Sequence, residues 1–256
     1  MDENNTEILG KKVFFVHPSV FVQNEIIAEL VQQEHEVYIT KDEEKLKKYL
    51  KKHPDSIVFA SIDETLSAGK WEEWVRSVLG DEVTKNVAMG VLSNTNSEDS
   101  KRLYLNSIGV PCGFIPVKTD KNKAVQALLD VLNAAGAKGR RKYIRANTRN
   151  EPMITINVPF NNAFITGNIL DISTVGLSCV FSEDPDLKKN TLQSDLQIKL
   201  QGVLLKAEGI VFGSRMDEVD KVYVFVFTPK VDPSARAKIR TFIQKDLQSK
   251  MDAELK

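Results

Sequence analysis

The chain has 256 residues, of which 42% are hydrophobic and 27% charged, a size and composition typical of a soluble globular protein with two domains. Its 35 basic and 35 acidic residues balance, which disfavours a uniformly basic polynucleotide-binding protein. The two cysteines, Cys112 and Cys179, lie outside any metal-ligand spacing, so a disulfide scaffold and a structural zinc site are both disfavoured. This cysteine usage favours a reducing, cytoplasmic location.

The N-terminal residues 1–12 are acidic before they are basic and contain no apolar stretch. We therefore expect no secretory signal. We also expect no membrane span, because no apolar run approaches the roughly 20 residues that a transmembrane helix needs.

Residues 11–135 alternate short apolar runs with segments of helical spacing. Strands are predicted at 12–16, 36–40, 56–62, 86–92 and 112–117. Helices are predicted at 23–33, around Leu46, Tyr49 and Leu50, and at 68–79, 97–107 and 121–135. Five such β–α units predict a doubly wound, mostly parallel sheet with helices on both faces.

The pattern changes after Ala135, where 136–139 contains two glycines and breaks the helix. Six short strands follow without intervening helices, at 153–158, 164–170, 177–181, 196–200, 203–212 and 221–228. They predict a small antiparallel β-barrel, and 233–251 reads as an amphipathic terminal helix. The predicted domains are thus an α/β domain at 1–136, a linker at 137–150, and a barrel with its helix at 151–256.

Counting charges along the chain reveals a basic segment that the neutral total conceals. Residues 1–136 hold 16 basic and 21 acidic residues, a net charge of −5, and 137–256 hold 19 and 14, a net charge of +5. The linker at 137–150 alone has six basic residues and no acidic one. Its four arginines suit phosphate and guanine edges, because a guanidinium donates two parallel hydrogen bonds and stacks on bases; a solvated linker is the alternative. They are Arg140, Arg141, Arg145 and Arg149.

A second motif, DxSxxG, follows at a predicted strand-to-turn junction. Asp171 and Ser173 are two residues apart on an extended strand, so their side chains face the same way. Gly176 permits either a left-handed turn or the close approach of a ligand to the backbone. A capped turn between two strands is the alternative interpretation of these three residues.

Together, RxxxR before a small barrel and DxSxxG on that barrel resemble the PilZ family of cyclic di-GMP receptors, over residues from about 138 to 230. RxxxR occurs three times, at 141/145, 145/149 and 236/240. The first pair fits best, because Arg140 and Arg141 precede an aromatic and an apolar residue. The pair at 236/240 lies in the terminal helix, after DxSxxG.

The resemblance implies a role for each motif residue. Arg141 and Arg145 would bind the phosphates and guanines of cyclic di-GMP, assisted by Arg140 or Arg149. Asp171 and Ser173 would hydrogen-bond the ligand, and Gly176 would keep the turn open. The site would hold one ligand molecule or an intercalated pair.

The expected function is that of a cyclic di-GMP effector without enzymatic activity, metal or cofactor. Ordering of the arginine-bearing linker by the ligand would change the domain arrangement and regulate an unidentified protein partner, through the N-terminal domain, with a motility- or virulence-type output. The alternative is an RNA- or DNA-binding barrel that uses the same basic linker. Against this alternative, Tyr223, Phe225 and Phe227 alternate like a strand interior and leave no evident platform for bases.

The N-terminal half resembles a degenerate response-regulator receiver domain, most clearly at 53–60. Three of the four positions that would hold Mg²⁺ and a phosphoryl group carry other residues: His17 with Pro18, Ala60 or Ser61, and Ile115 before Pro116. Ser93 alone matches the family, and Asp63 is either a turn residue or a displaced acceptor. The resemblance therefore implies an unphosphorylated interaction domain. With three histidines outside metal spacing and no Walker or GxGxxG sequence, no enzyme is predicted.

Overall fold

The structure, a computed structural model, describes residues 10–217 and 220–256. The expectation of no secretory signal falls mainly on residues 1–9, outside the described residues. The chain forms two compact units: residues up to Lys142 together with Gln248–Lys256, and Tyr143–Leu247. The domain limits predicted from the sequence, 1–136, 137–150 and 151–256, stay a prediction.

The first unit is built on a five-stranded parallel sheet with the strand order β2-β1-β3-β4-β5. The order reverses between β1 and β3, as in doubly wound α/β proteins, and confirms the predicted parallel sheet. The receiver-like interpretation stays a prediction. The strands are β1 (Val13–Val16), β2 (Val37–Thr40), β3 (Ile57–Ser61), β4 (Ala88–Ser93) and β5 (Phe114–Pro116).

Helices follow the strands of this sheet in turn. The side chains of Asp42 and Asp120 cap two of them, accepting hydrogen bonds from the backbone N–H groups of Lys45 and Lys123 at 2.9 and 3.1 Å. The helices are α1 (Val22–Ile27, continuing as Ala28–Gln32), α2 (Glu43–Lys52), α3 (Ala68–Leu79), α4 (Glu98–Lys101, continuing as Arg102–Ile108) and α5 (Lys121–Ala134).

The central strand β1 is buried on both faces of the sheet. Phe15 stacks on Phe59 at 5.3 Å between ring centroids, in a cluster that includes residues of α1 and α5. On the opposite face Phe14 contacts the ring of Tyr49 from α2 at 5.4 Å. Because helices cover both faces, β1 is a continuous apolar run rather than an alternating one.

The second unit is an antiparallel sheet in the order β6-β8-β7-β10-β11-β12-β9. An additional pairing of β8 with β9 closes β7–β12 into a six-stranded ring, and β6 flanks β8. The barrel prediction is thereby confirmed, but the sequence missed β6. The strands are β6 (Arg145–Asn147), β7 (Thr155–Phe160), β8 (Ala163–Ser173), β9 (Gly176–Phe181), β10 (Leu192–Leu200), β11 (Val203–Asp217) and β12 (Asp220–Phe227).

The interior of the ring is apolar and includes Tyr223, Phe225 and Phe227, as their alternation predicts. The terminal helix α6 (Pro233–Glu254) contributes Ile239 and Phe242 to the same core. Its burial on the barrel explains the amphipathic pattern of its first half.

The last turns of α6 belong to the α/β unit, where Gln248 meets the outer strand of the sheet. The Gln248 side chain accepts a hydrogen bond from the backbone N–H of Ile39 and donates one to its carbonyl, both at 2.9 Å. The amide thus contacts β2 on the edge that faces away from β1, and pairs with it as a neighbouring strand would.

We expect the α/β unit to lose stability as the pH falls from 6.5 to 4, because of His35. His35 is only 2% exposed, and its burial, with the nearby charge of Lys138, lowers its pKa to about 4. Between these pH values the unfolded chain binds the proton that folded His35 rejects. The free energy of unfolding then falls by up to ~1.4 kcal/mol per pH unit.

The measurement is urea unfolding at pH 7 and pH 5, followed by tryptophan fluorescence. Both tryptophans, Trp71 and Trp74, lie in this unit and report on it alone. His35→Gln should show a smaller loss of stability between the two pH values than the wild type. An identical pH dependence in both proteins would contradict the assignment.

Candidate functional site

The DxSxxG motif forms the β8–β9 hairpin of the barrel. Asp171 pairs with Ser178 and Ser173 with Gly176, and Thr174 and Val175 form the turn between them. The hairpin places Asp171, Ser173 and Gly176 along the same pocket. The sequence prediction that Asp171 and Ser173 share a face therefore agrees with the geometry.

Arg145 reaches the motif from β6. It lies opposite Ser173 in the β6–β8 register, and its Nη1 donates to Oδ1 of Asp171 at 2.9 Å. The hydroxyl of Ser178 donates to the other carboxylate oxygen. Each carboxylate oxygen has two lone pairs, so Asp171 can still accept further hydrogen bonds from a ligand.

Ser173 is a buried residue whose hydroxyl organises the turn. Its Oγ donates to the carbonyl of Gly176 at 3.1 Å and accepts from the backbone N–H of Val175 at 3.4 Å. The only proton of the hydroxyl is therefore used within the turn. One lone pair remains, so Ser173 can accept a hydrogen bond from a ligand but has no proton left to donate.

Gly176 is required for a reason that the sequence did not reveal. Its backbone does not adopt a left-handed conformation, and another strand approaches it closely. A Cβ at this position would lie 2.3 Å from the carbonyl oxygen of Phe225 on β12. The absence of a side chain thus lets β9 and β12 pair closely.

A cavity of about 460 Å³ lies beside the motif, within the size range of ligand pockets. Three of its side chains are cationic, Arg145, Lys189 and Arg215, and one is a carboxylate, Asp171. The site therefore combines an excess of positive charge with a hydrogen-bond acceptor. The remaining lining residues are Ser173, Val175, Gly176, Leu177, Ser178, Phe212, Gly213, Ser214, Val224, Phe225 and Val226.

Phe212 gives the pocket an exposed aromatic ring, which the sequence prediction missed. Its side chain is 62% exposed, and the Lys189 ammonium lies 5.8 Å from the ring centroid. The sequence gives no evident platform for bases, because an apolar run (Ile210, Val211, Phe212) does not show which residues face outward. The alternation of β11 buries Val211 and leaves Phe212 beside the site.

The other predicted arginines differ from Arg145 in their surroundings. Arg149 donates from Nη2 to Oδ2 of Asp217, at the end of β11, at 2.7 Å. Arg140 and Arg141 are exposed and lie in the irregular segment before β6. The part of this segment up to Lys142 belongs to the α/β unit. Of the four arginines, only Arg145 is among the described residues that line the cavity.

The model of the family described as "PilZ domain" matches residues 139–245. Residues 139–245 are a PilZ domain. The match includes both motifs, and its antiparallel barrel and terminal helix agree with the fold described above. The comparison with curated proteins gives no match.

Solved structures with a similar fold include the PilZ domain of YcgR from Escherichia coli with c-di-GMP, at 15% identity and a TM-score of 0.39. This chain covers 98% of that structure with 44% of its own length. The K. pneumonia MrkH–c-di-GMP complex matches at 17% identity and a TM-score of 0.37, with 46% of this chain and 57% of that chain covered. PlzA from Borreliella burgdorferi in complex with c-di-GMP matches at 18% identity and a TM-score of 0.29. That match covers 48% of this chain and 58% of the PlzA chain. The chain thus spans little more than half of the MrkH and PlzA chains.

Outside the PilZ domain, Asp63 lies in the turn that follows β3, at the carboxyl end of the parallel sheet. Its Oδ2 accepts hydrogen bonds from Ser93 Oγ at 2.9 Å and from the backbone N–H of Asn94. These contacts fit the interpretation of Asp63 as a turn residue. The described residues contain no cluster of three or more histidine, cysteine or acidic side chains able to hold a metal ion. Within the same residues, no helix has the length and apolar character required to cross a membrane.

Gly176→Ala should destabilise the PilZ domain by about 1–3 kcal/mol, because the new methyl group would overlap the Phe225 carbonyl. The matched control is Gly213→Ala in the same pocket, where an added Cβ meets no atom within 4 Å. The control should stay within ~0.5 kcal/mol of the wild type. Urea unfolding followed by circular dichroism measures both variants. Equal stability of the two variants would refute the packing explanation.

Proposed function

We propose that the PilZ domain binds cyclic di-GMP and that the protein is a receptor for this dinucleotide rather than an enzyme. The observation that carries the proposal is the Arg145–Asp171 pair beside the Ser173 turn, at the wall of a cationic pocket. Cyclic di-GMP carries two phosphates and two guanines in one compact molecule. The pocket supplies a chemical partner for each.

The phosphates match the cations around the pocket. Arg145 donates through a planar guanidinium, which suits the paired oxygens of a phosphate, and Lys189 and Arg215 add positive charge. Arg145 is exposed, and its guanidinium is oriented toward the motif by the hydrogen bond to Asp171 at 2.9 Å.

The guanines match the acceptors and the aromatic ring. A guanine presents its N1–H and N2–H groups as donors, and Asp171 and Ser173 each have lone pairs to accept them. The exposed face of Phe212 offers a surface on which a purine stacks, as in single-strand-binding sites. Val226, partly exposed beside it, adds an apolar contact.

Arg141, with Arg140 and Arg149, forms the second part of the proposed site. These exposed side chains precede or follow β6, so the ligand would gather them as the parts of the segment 137–150 on either side of β6 become ordered. Because this segment joins the predicted domains, its ordering would change their arrangement and regulate a protein partner that contacts the N-terminal domain. A motility- or virulence-type output and a cytoplasmic location belong to the same proposal, and the two free, buried cysteines suit a reducing compartment.

Isothermal titration calorimetry of cyclic di-GMP tests the site. Loss of a charged hydrogen-bond partner in Arg141→Ala, Arg145→Ala or Asp171→Ala should weaken binding by roughly 10- to 100-fold without changing the melting temperature. Arg102→Ala, which removes an exposed arginine of the α/β unit, is the control. Wild-type affinity in all three site variants would refute the assignment, and cyclic di-AMP and GTP test ligand specificity.

The salt dependence of binding separates this function from the polynucleotide-binding alternative. A polynucleotide contacted at several phosphates loses affinity steeply with salt, because each contact releases counterions. A dinucleotide in a pocket should show a much shallower slope. Tight, steeply salt-dependent binding of single-stranded RNA or DNA, with none of cyclic di-GMP, would favour the alternative.

Phe212→Ala should weaken cyclic di-GMP binding about tenfold, because base–aromatic stacking contributes ~1–3 kcal/mol. Phe164→Ala is the matched control: Phe164 is an exposed phenylalanine on β8 and is not among the residues that line the pocket. The control should bind like the wild type. An equal effect of the two substitutions on affinity would exclude a stacking role for Phe212.

A further inference from the structure

Arg236, in the first turn of α6, bridges two segments of the barrel. Its Nη1 donates to the carbonyl of Thr174 at 2.9 Å, and its Nη2 donates to the carbonyl of Thr228 at 2.6 Å. Thr174 is the first of the two residues that form the DxSxxG turn, and Thr228 directly follows β12. A single planar guanidinium thus fixes the motif turn, the end of a strand and the start of a helix.

The carbonyl that Arg236 holds is adjacent to the pocket wall. Thr174 itself is 4% exposed, but Val175 and Gly176, which follow it, line the pocket. Val175 is also fixed from behind, since its carbonyl accepts from the backbone N–H of Phe227 at 2.8 Å. A shift of the Thr174 carbonyl would therefore displace Val175 and Gly176, the two residues of the motif that follow it and line the pocket.

The helix that carries Arg236 begins at a defined point. Pro233 is its first residue, and the Asp232 carboxylate accepts from the backbone N–H of Ser234 at 2.7 Å. The Arg236 side chain adds a connection to residues outside the helix. Two arginines that occur in RxxxR spacing thus contact the DxSxxG motif. Arg145, which lines the pocket, binds the Asp171 side chain, whereas Arg236 binds the backbone carbonyl of Thr174.

We propose that Arg236 is a positioning residue for the ligand site and couples the DxSxxG turn to the first turn of α6. This inference rests on the proposed binding of cyclic di-GMP. Arg236 holds the turn in the shape that receives the ligand, so less ordering is left for binding to accomplish. By thermodynamic reciprocity, a ligand that fixes the turn also stabilises the contact with Arg236 and with it the start of the helix.

The test combines hydrogen exchange with calorimetry on the full chain. In the wild type, saturating cyclic di-GMP should slow amide exchange in residues 235–240, although these residues are not among those that line the pocket. Arg236→Ala should bind about tenfold more weakly, equivalent to one charge-assisted hydrogen bond, and should lose this protection. Arg236→Lys keeps the positive charge but cannot donate from two nitrogens to the Thr174 and Thr228 carbonyls as the planar guanidinium does. It should therefore recover only part of the affinity.

Lys238→Ala is the matched control, because Lys238 is an exposed cation in the same part of α6. It should keep both the affinity and the ligand-induced protection. Wild-type exchange in 235–240 that does not respond to bound ligand overturns the coupling, even if Arg236→Ala fails to fold. Wild-type affinity in folded Arg236 variants overturns the positioning role, whereas absence of cyclic di-GMP binding by the wild-type protein overturns the proposed function itself.

Discussion

The pairing of β8 with β9 is the constraint on which the barrel and its pocket depend. This pairing closes the ring of six strands, and the same hairpin carries Asp171, Ser173 and Gly176. Because β9 must also pair with β12, its first residue lies very close to the Phe225 backbone. Only glycine fits at this position, which is Gly176. The positions of Asp171, Ser173 and Gly176 beside the pocket therefore follow from the closure of the barrel.

The electrostatics of the pocket follow from this geometry. β6 is only three residues long, yet its register against β8 places Arg145 within hydrogen-bonding distance of Asp171. The pair keeps the arginine oriented while leaving lone pairs on the carboxylate. Phe212 projects beside the pair from β11, so charge, acceptor groups and an apolar surface meet in one cavity. Arg145, Asp171 and Phe212 come from three different strands, so the site depends on the tertiary fold that brings β6, β8 and β11 together.

The sequence was sufficient to predict the long elements, because periodic apolar positions reveal a parallel sheet and a barrel. It could not predict β6, since three residues carry no periodicity and this strand depends on its backbone pairing with β8. The family motifs identified Arg145 and Asp171, whose contact the structure contains. The outward orientation of Phe212 and the contact of Arg236 with Thr174 depend on residues far apart in sequence. The strand approach at Gly176 is equally invisible to local patterns.

The pairing of Gln248 with Ile39 has a consequence for the exposed edge of the parallel sheet. An outer strand presents unpaired N–H and C=O groups to which another chain can add as a further strand. The side-chain amide of Gln248 occupies both groups of Ile39 with two hydrogen bonds at 2.9 Å. The end of the terminal helix therefore shields β2 at this residue from edge-to-edge aggregation.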